Sequence, residues 1–212
     1  IDGVPALRPS RQPYSVMGDR IEAATYMLAA VMTRGDVTLT GVPVADLSFL
    51  CNSVREVGGN IQIHNASSLT VSHSGPVRPV SVVTAPHPGF ATDMQAQWMT
   101  LMSIADGSCT ITEKIFENRF MHVPELTRLG SLIQTDGRVA HVQGVETLYG
   151  ATVMATDLRA SASLVLAGLV AEGQTEVLRV YHLDRGYAKL VEKMQSLGAH
   201  IGRFASSETV EL

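Results

Sequence analysis

Residues 157–177 read DLRASASLVLAGLVAEGQTEV: an aspartate, a long run of small and apolar residues, a glycine and a strand-like segment. The same order recurs at residues 19–39 and 93–111. Each stretch leads into a second helical run that ends at a further glycine, and these glycines are Gly58, Gly130 and Gly198. The chain therefore carries a threefold internal repeat, and such a repeat defines an architecture before any single motif does.

Each repeat has the pattern of a strand, a helix, a strand, a second helix and two final strands. We expect repeats at about residues 14–75, 80–143 and 149–212 of a single domain spanning 14–212, after an irregular proline-rich lead-in at 1–13. In the first repeat the predicted strands are 14–17, 37–40, 61–64 and 69–72, around helices 21–33 and 45–57. In the second they are 80–84, 110–113, 133–135 and 139–142, around helices 94–105 and 123–129. In the third they are 151–155, 176–180, 201–204 and 209–212, around helices 158–171 and 187–197.

The first helix of each repeat differs in kind from the second. Residues 23–32 and 160–170 contain no charged residue, and a helix that is apolar on all sides is buried on all sides. Residues 187–194, by contrast, have one polar face that should meet solvent. The pattern favours an inside-out, barrel-like α/β domain of three βαβαββ repeats, with buried helices in the middle and sheets outside. A conventional sandwich that buries one helix per repeat is the alternative.

Composition limits the classes of function. Hydrophobic residues make up 45% and charged residues 17%, so more of the surface than usual should be covered by a second domain or subunit. The net charge of −4 and the lack of a lysine or arginine run argue against a nucleic-acid partner. No apolar run reaches the roughly 18–20 residues of a membrane span. Residues 1–3 do not resemble a signal peptide, and we expect a cytoplasmic protein.

Two cysteines and three histidines bear on metal and disulfide chemistry. Cys51 and Cys109 lack the spacing of a metal site, so we interpret them as reduced core residues rather than as a disulfide. None of His87, His122 and His182 is paired with another ligand at helical spacing. The sequence therefore predicts no metal site.

Each predicted buried helix starts at an aspartate, which has two interpretations. Aspartate is a favoured helix N-cap, and that purely structural role is sufficient for Asp19. Asp93, however, follows the proline-bracketed stretch TAPHPGFAT at residues 84–92, which is elaborate for a simple turn. Asp157 lies two residues before Arg159 at an otherwise apolar helix start. We therefore take Asp93 and Asp157 as candidate catalytic residues.

Three arginines lie in loops or at helix starts, namely Arg119, Arg159 and Arg185. A guanidinium group recognises a carboxylate or phosphate at two points, and helix N-termini add backbone donors to the same anion. Together with a free aspartate, these arginines would suit an anionic substrate with a nearby hydroxyl. Surface ion pairs at loop ends are the alternative.

Four motifs carry a resemblance to a known family: TAPHPGFATDMQAQ (84–97), ENRFMHVPEL (117–126), VMATDLRASASLVLAG (153–168) and YHLDRGY (181–187). They resemble the carboxy-terminal domain of bacterial UDP-N-acetylglucosamine enolpyruvyl transferases, and DRIE at 19–22 fits the same pattern. The similarity runs over residues 16–203. It implies the enolpyruvate transferase fold, an inside-out domain of three βαβαββ units, in agreement with the repeat.

The resemblance also implies an activity in the bacterial cytoplasm, the first committed step of peptidoglycan precursor synthesis. In the family, the 3-hydroxyl of UDP-N-acetylglucosamine attacks phosphoenolpyruvate in a cleft between two domains, and phosphate leaves; no cofactor is implied. Carried over by motif, Asp93 would be the base and sugar-hydroxyl ligand, and Asp157 would support proton transfer. Arg159 and Arg185 would hold phosphoenolpyruvate with help from Arg119, and Ile115 would contact the nucleotide sugar.

The sequence departs from the family pattern in one large respect. The family's other domain carries a Lys-Asn pair and a loop that bears an acid, and neither occurs in these 212 residues. We therefore expect half an enzyme, inactive without its amino-terminal half, with an exposed interdomain face that favours self-association. Two alternatives stay open: a shikimate-type enolpyruvyl transferase domain, and a catalytically silent binding domain on the same fold. An α/β repeat with capping aspartates and no site is the structural alternative.

Overall fold

The computed structural model describes residues 2–9 and 12–204 of the chain. Its α-helices are α1 (Arg20–Met32), α2 (Ser48–Glu56), α3 (Gln95–Met102), α4 (Val123–Arg128), α5 (Leu158–Val170) and α6 (Leu190–Ser196). Its strands are β1 (Asp36–Thr40), β2 (Asn60–Asn65), β3 (Ser68–Ser72), β4 (Val82–Val83), β5 (Ser108–Thr112), β6 (Leu132–Asp136), β7 (Val139–Gln143), β8 (Thr152–Met154) and β9 (Glu176–Leu178). Short 3-10 helices at Val44–Leu47, Thr92–Met94 and Val180–Arg185 complete the order.

The first helices of the three repeats form the centre of the molecule. Every residue of α3 is buried, α1 is buried from Ile21 to Met32 apart from Glu22, and α5 is buried from Ala160 to Ala167. The three helices pack on one another. Because they carry almost no charged side chain, burial on all sides costs them little and removes much apolar surface from water. The inside-out prediction is confirmed.

The sheets lie outside this helical centre. The second repeat forms the most extensive sheet, of order β4-β5-β7-β6, in which β4 runs parallel to β5 and the other pairs are antiparallel. The first repeat forms β1-β3-β2, and the third forms the parallel pair β8-β9. Alternate strand residues face inward; Ile111 of β5, for example, pairs with Ala140 of β7, and both are fully buried. Cys51 and Cys109 are buried and unpaired, as expected for core cysteines.

Two predicted strands do not form. Residues 14–17 pair with no strand, because Tyr14, Val16 and Met17 are all exposed and have nothing to pack against. Residues 201–204 make no ladder, and the side chain of Gln195 in α6 instead donates to the carbonyl of Ile201 at 2.6 Å. The predicted strand 209–212 lies outside the described residues. The βαβαββ pattern is thus complete in the second repeat alone among the described residues.

Several helix starts also differ from the prediction. The helix expected at 187–197 begins only at Leu190, because Lys189 takes a left-handed conformation (φ 53°) that interrupts it. The segment before it turns inward, so Tyr187 is buried in the core instead of facing solvent on a helix. The helices expected at 45–57 and 94–105 each begin as a 3-10 helix before becoming α2 and α3. No helix in residues 2–9 and 12–204 has the length and apolar character needed to cross a bilayer.

The second glycine of each repeat ends a solvent-facing helix in the same way. Gly58, Gly130 and Gly198 have φ of 107°, 96° and 95°, a region that L side chains rarely adopt. The residue after each glycine donates its N–H to a carbonyl five positions back, at 2.8, 3.1 and 3.0 Å respectively. This is the Schellman arrangement, which satisfies the last carbonyls of α2, α4 and α6 and turns the chain into the next segment.

Gly198→Ala tests the cost of this conformation, because a Cβ there would meet no atom within 4 Å and only the backbone angle is at issue. We expect a loss of about 1–2 kcal/mol in the free energy of unfolding, since an L residue strains at this φ. Urea unfolding followed by the fluorescence of the buried Trp98 measures it. Gly75→Ala is the control, with open space and no left-handed angle. Equal stability of the two variants would contradict the prediction.

Candidate functional site

The three aspartates at the buried helices do not behave alike. Asp19 and Asp157 are N-caps: one side-chain oxygen accepts two first-turn N–H groups, at 2.7 and 3.3 Å for Asp19 and at 2.8 and 2.9 Å for Asp157. Asp93 lies inside the 3-10 helix Thr92–Met94, which has no side-chain cap. Its carboxylate is therefore free of the capping role that explains the other two.

Two arginines hold the Asp93 carboxylate, one on each oxygen. Arg119 Nη2 lies 2.8 Å from Oδ1, and Arg159 Nη2 lies 3.1 Å from Oδ2. Burial would raise the pKa of Asp93, but the two guanidinium groups outweigh it and hold this pKa below its ordinary value. The Asp93 side chain keeps 37% of its surface open. The result is a fixed anion that still faces outward.

Arg159 is anchored from the core by Tyr187. Its Nη1 donates to Tyr187 Oη at 3.4 Å, and its guanidinium lies 5.8 Å from the centre of the tyrosine ring. The same hydroxyl lies 2.9 Å from Thr25 Oγ1 in α1 and accepts from Gln97 Nε2 in α3 at 3.3 Å. Residues from all three repeats therefore meet at the Tyr187 hydroxyl, which in turn contacts Arg159.

Arg119 is anchored from the opposite side. Its Nη1 donates to Thr92 Oγ1 at 2.7 Å, and its guanidinium lies 4.7 Å from the centre of the Phe116 ring. Thr92 Oγ1 in turn donates to Glu113 Oε2 at 2.8 Å. Both arginines are thus committed to contacts within the chain, and both point at the same carboxylate.

Asp157 and His122 line a small open pocket beside this cluster, with Arg119, Arg159 and Gln95 in its wall. Burial lowers the pKa of His122 to about 4, against the opposing effect of the Asp157 carboxylate, so this imidazole is neutral near pH 7. In the part of the chain that the structure describes, no group of three or more His, Cys, Asp or Glu side chains is placed to hold a metal ion.

The other two predicted site residues are exposed and lie in segments 115–121 and 181–185, which together with the exposed Met154 we call the rim. Arg185 is exposed, and its side chain has neither a hydrogen bond nor an ion pair among residues 2–9 and 12–204. It is placed beside the start of α5, because the next residue, Gly186, packs closely on Leu158. Ile115 is 37% exposed, and its neighbour Phe116 is 51% exposed. The structure brings Asp93, Asp157, Arg119 and Arg159 together, and leaves Arg185 and Ile115 open to solvent.

Sequence reasoning did not identify Thr92, Glu113 or Tyr187 as parts of the site. Glu113 had a detectable signal: it follows Cys109 and Ile111 at intervals of two, so the strand alternation directs its carboxylate inward. Tyr187 had none, because the pattern predicted a solvent-facing helix there. Thr92 precedes Asp93, and only its hydrogen bonds to Glu113 and Arg119 in the folded chain identify it as part of the site.

The site combines one fixed, partly open carboxylate with the two guanidinium groups that hold it, while the exposed Arg185 side chain is unpaired among the described residues. A carboxylate whose pKa is low accepts hydrogen bonds and remains ionised at neutral pH. The unpaired guanidinium is available for an anion. The arrangement is therefore suited to aligning a hydroxyl group beside a negatively charged second substrate.

The family model and the curated relatives that match this chain are all described as carboxyvinyltransferases. The model of the EPSP synthase (3-phosphoshikimate 1-carboxyvinyltransferase) family matches residues 1–194. The chain is 56% identical over 203 residues to the UDP-N-acetylglucosamine 1-carboxyvinyltransferase of Anaeromyxobacter sp. (strain K), covering 96% of this chain and 47% of that protein. It is 55% identical over 190 residues to the enzyme of that name from Novosphingobium aromaticivorans, covering 90% of this chain and 44% of that protein. The chain thus spans about half the length of the curated relatives it matches.

Solved structures show the same fold. The enolpyruvyl transferase NikO from Streptomyces tendae superposes with a TM-score of 0.78 at 33% identity, covering 87% of this chain and 44% of NikO. An EPSP synthase from Acinetobacter baumannii superposes with a TM-score of 0.59 at 18% identity, covering 77% of this chain and 39% of that one. The second match supports the fold alone. With a family model that covers nearly its whole length, the chain belongs to the EPSP synthase family.

Proposed function

We propose that this chain is the carboxy-terminal part of an enolpyruvyl transferase that moves the enolpyruvyl group of phosphoenolpyruvate to the 3-hydroxyl of UDP-N-acetylglucosamine and releases phosphate. The observation that carries the proposal is Asp93, held as an outward-facing anion by Arg119 and Arg159. The identity of 51–56% to proteins named for this reaction supports the choice of acceptor. The protein would act in the bacterial cytoplasm.

Asp93 would accept a hydrogen bond from the attacking hydroxyl and take its proton. A carboxylate with a lowered pKa is a weak base, yet a weak base suffices here. Protonation of phosphoenolpyruvate at C3 makes C2 electron-poor, and the hydroxyl becomes strongly acidic as its oxygen bonds to C2. The adduct then loses the C3 proton and phosphate, which restores the double bond. General base catalysis of this kind contributes roughly 10²–10⁴-fold to the rate.

The arginines would divide two tasks. Arg185, exposed and without a partner among the described residues, would bind the carboxylate or phosphate of phosphoenolpyruvate. Arg159 would share its guanidinium between Asp93 and the same substrate, and Arg119 would hold Asp93 in place.

Asp157 would support proton transfer from the oxygen that its capping bonds leave free, since both of those bonds go to Oδ1. Ile115 would contact the nucleotide sugar from the rim.

The remaining parts of the enzyme would come from an amino-terminal half. We propose that residues 1–13 lead into a domain at 14–212, and that the second domain closes over the site. The rim supports this, because it exposes apolar side chains that a partner surface would cover, among them Phe116, Met121, Met154 and Tyr181. An uncovered rim of this kind would also favour self-association of the separate chain.

A shikimate-type acceptor is the second candidate, and the description of the matching family model favours it. The 56% identity to a UDP-N-acetylglucosamine enzyme weighs the other way. Titration of the complete protein with a uridine nucleotide separates the two, since only the first candidate binds it. A catalytically silent binding domain would bind the nucleotide without turnover.

The chain of 212 residues by itself should not release phosphate from phosphoenolpyruvate and UDP-N-acetylglucosamine. The reason is that the site formed by the described residues is open on one side, and the acid-bearing loop that the family carries on its other domain does not occur in these 212 residues. A coupled phosphate assay measures this, with the complete protein as the positive control. Turnover by the chain alone, at a rate near that of the complete protein, would show that the second domain is not needed.

Asp93→Asn in the complete protein should lower kcat by about 10²–10⁴-fold, because the amide keeps the shape but cannot take the hydroxyl proton. Steady-state kinetics with both substrates measures the effect. Asp136→Asn is the matched control, an exposed aspartate at the end of β6 that should leave kcat unchanged. If Asp93→Asn turned over like Asp136→Asn, Asp93 would have no chemical role.

A further inference from the structure

We propose that Glu113 is a positioning residue for this reaction: through the Thr92 hydroxyl it holds Arg119 against Asp93. Glu113 directly follows β5, with only 1% of its surface exposed. It does not reach the open side of the site, so it would act on the reaction through other side chains. This inference rests on the proposed function for its catalytic part, while the positioning itself is a property of the chain.

The Glu113 carboxylate is completely enclosed by donors. Oε1 accepts from Thr84 Oγ1 at 2.8 Å and from the backbone N–H groups of Ile115 and Phe116 at 2.7 and 3.1 Å. Oε2 accepts from Thr92 Oγ1 at 2.8 Å. A buried carboxylate is costly unless its oxygens are satisfied in this way. An apolar residue at position 113 would also face inward, as Cys109 and Ile111 do, and it would not carry that cost. Core packing therefore does not explain why this residue is a glutamate.

The direction of the hydrogen bonds gives that reason. A threonine hydroxyl has one proton, and an ionised carboxylate only accepts. The Thr92 proton must therefore point at Glu113 Oε2, which turns the oxygen lone pairs towards Arg119 Nη1 at 2.7 Å. With Nη1 fixed, the planar guanidinium places Nη2 on Asp93 Oδ1 at 2.8 Å. Thr92 thus donates to Glu113, and Arg119 donates to both Thr92 and Asp93, which holds the guanidinium in one orientation.

The same carboxylate also fixes the loop that carries Arg119. By binding the amides of Ile115 and Phe116, Glu113 sets the backbone at the rim and the position of the Phe116 ring, which lies under the Arg119 guanidinium at 4.7 Å. One buried residue therefore sets both the proposed nucleotide contact and the orientation of the base.

The test compares variants in the complete enzyme. Thr92→Val removes the hydroxyl link and should lower kcat by about tenfold or more with little change in the KM for phosphoenolpyruvate, because the base is misplaced while the anion site remains. Thr92→Ser keeps the hydroxyl and should restore most of kcat. Glu113→Gln should resemble Thr92→Val, because its carbonyl oxygen stays with the three donors of Oε1 and its N–H₂ then opposes the Thr92 proton.

Thr110→Val is the matched control, a partly buried threonine of β5 whose hydroxyl lies 3.3 Å from Ser81 and does not contact Glu113. It should keep the kcat of the wild type. The proposal is overturned if Thr92→Val and Glu113→Gln keep it too, or if Thr92→Ser is as impaired as Thr92→Val.

A second measurement needs no substrate. In the complete protein labelled with ¹⁵N-arginine, the Arg119 guanidinium should rotate slowly in the wild type and in Thr110→Val, and rapidly in Thr92→Val and Glu113→Gln. If the wild type shows no turnover but this difference appears, the positioning stands and the proposed function fails. If turnover is present but Arg119 rotates equally in all four proteins, the positioning role of Glu113 is refuted.

Discussion

Three helices without charged faces have to be kept from water on every side, and the rest of the structure is arranged around that constraint. The sheets and the amphipathic helices α2, α4 and α6 cover them, which leaves the helix ends as the places where polar chemistry can reach solvent. Polar groups inside the bundle are tolerated where they bond to one another, as Thr25, Gln97 and Tyr187 do. That internal network ends at Arg159, the side chain through which the three helices reach the site.

The ion pairs at Asp93 are better explained by orientation than by stability. The side chains involved keep between 16% and 37% of their surface exposed, and partly exposed pairs are worth only about 0–1 kcal/mol each. An isolated surface ion pair has one arginine for its carboxylate, whereas the Asp93 carboxylate is held by two. Both are fixed from behind, Arg159 by Tyr187 and Arg119 by Thr92, so that the carboxylate has one direction left to face. Preorganisation of this kind is what a hydroxyl-activating group needs.

Sequence periodicity was sufficient for the architecture but not for the site. The uncharged runs identified the buried helices, and the repeated glycines identified the left-handed helix ends, because both follow from local chemistry. Periodicity failed at residues 14–17 and 187–189, where pairing partners and backbone angles, not side-chain type, decide the outcome. It also treated Asp93 as equivalent to Asp157. Only the three-dimensional contacts separate a capping aspartate from one held by arginines that come from residues 26 and 66 positions away.

The departure of Asp93 from the repeat shows how a symmetric fold acquires an asymmetric site. A threefold repeat supplies equivalent helix starts, and at two of them the aspartate is consumed by capping the helix. At the third, the 3-10 turn Thr92–Met94 moves the aspartate past the cap position and leaves the first-turn amides without a side-chain partner. That loss, about 1 kcal/mol for a missing cap, is offset by the arginine contacts that the freed carboxylate makes. The local departure from good helix chemistry therefore distinguishes Asp93, because both of its oxygens are left to the arginines, whereas Asp157 commits Oδ1 to its own helix and keeps only Oδ2 free.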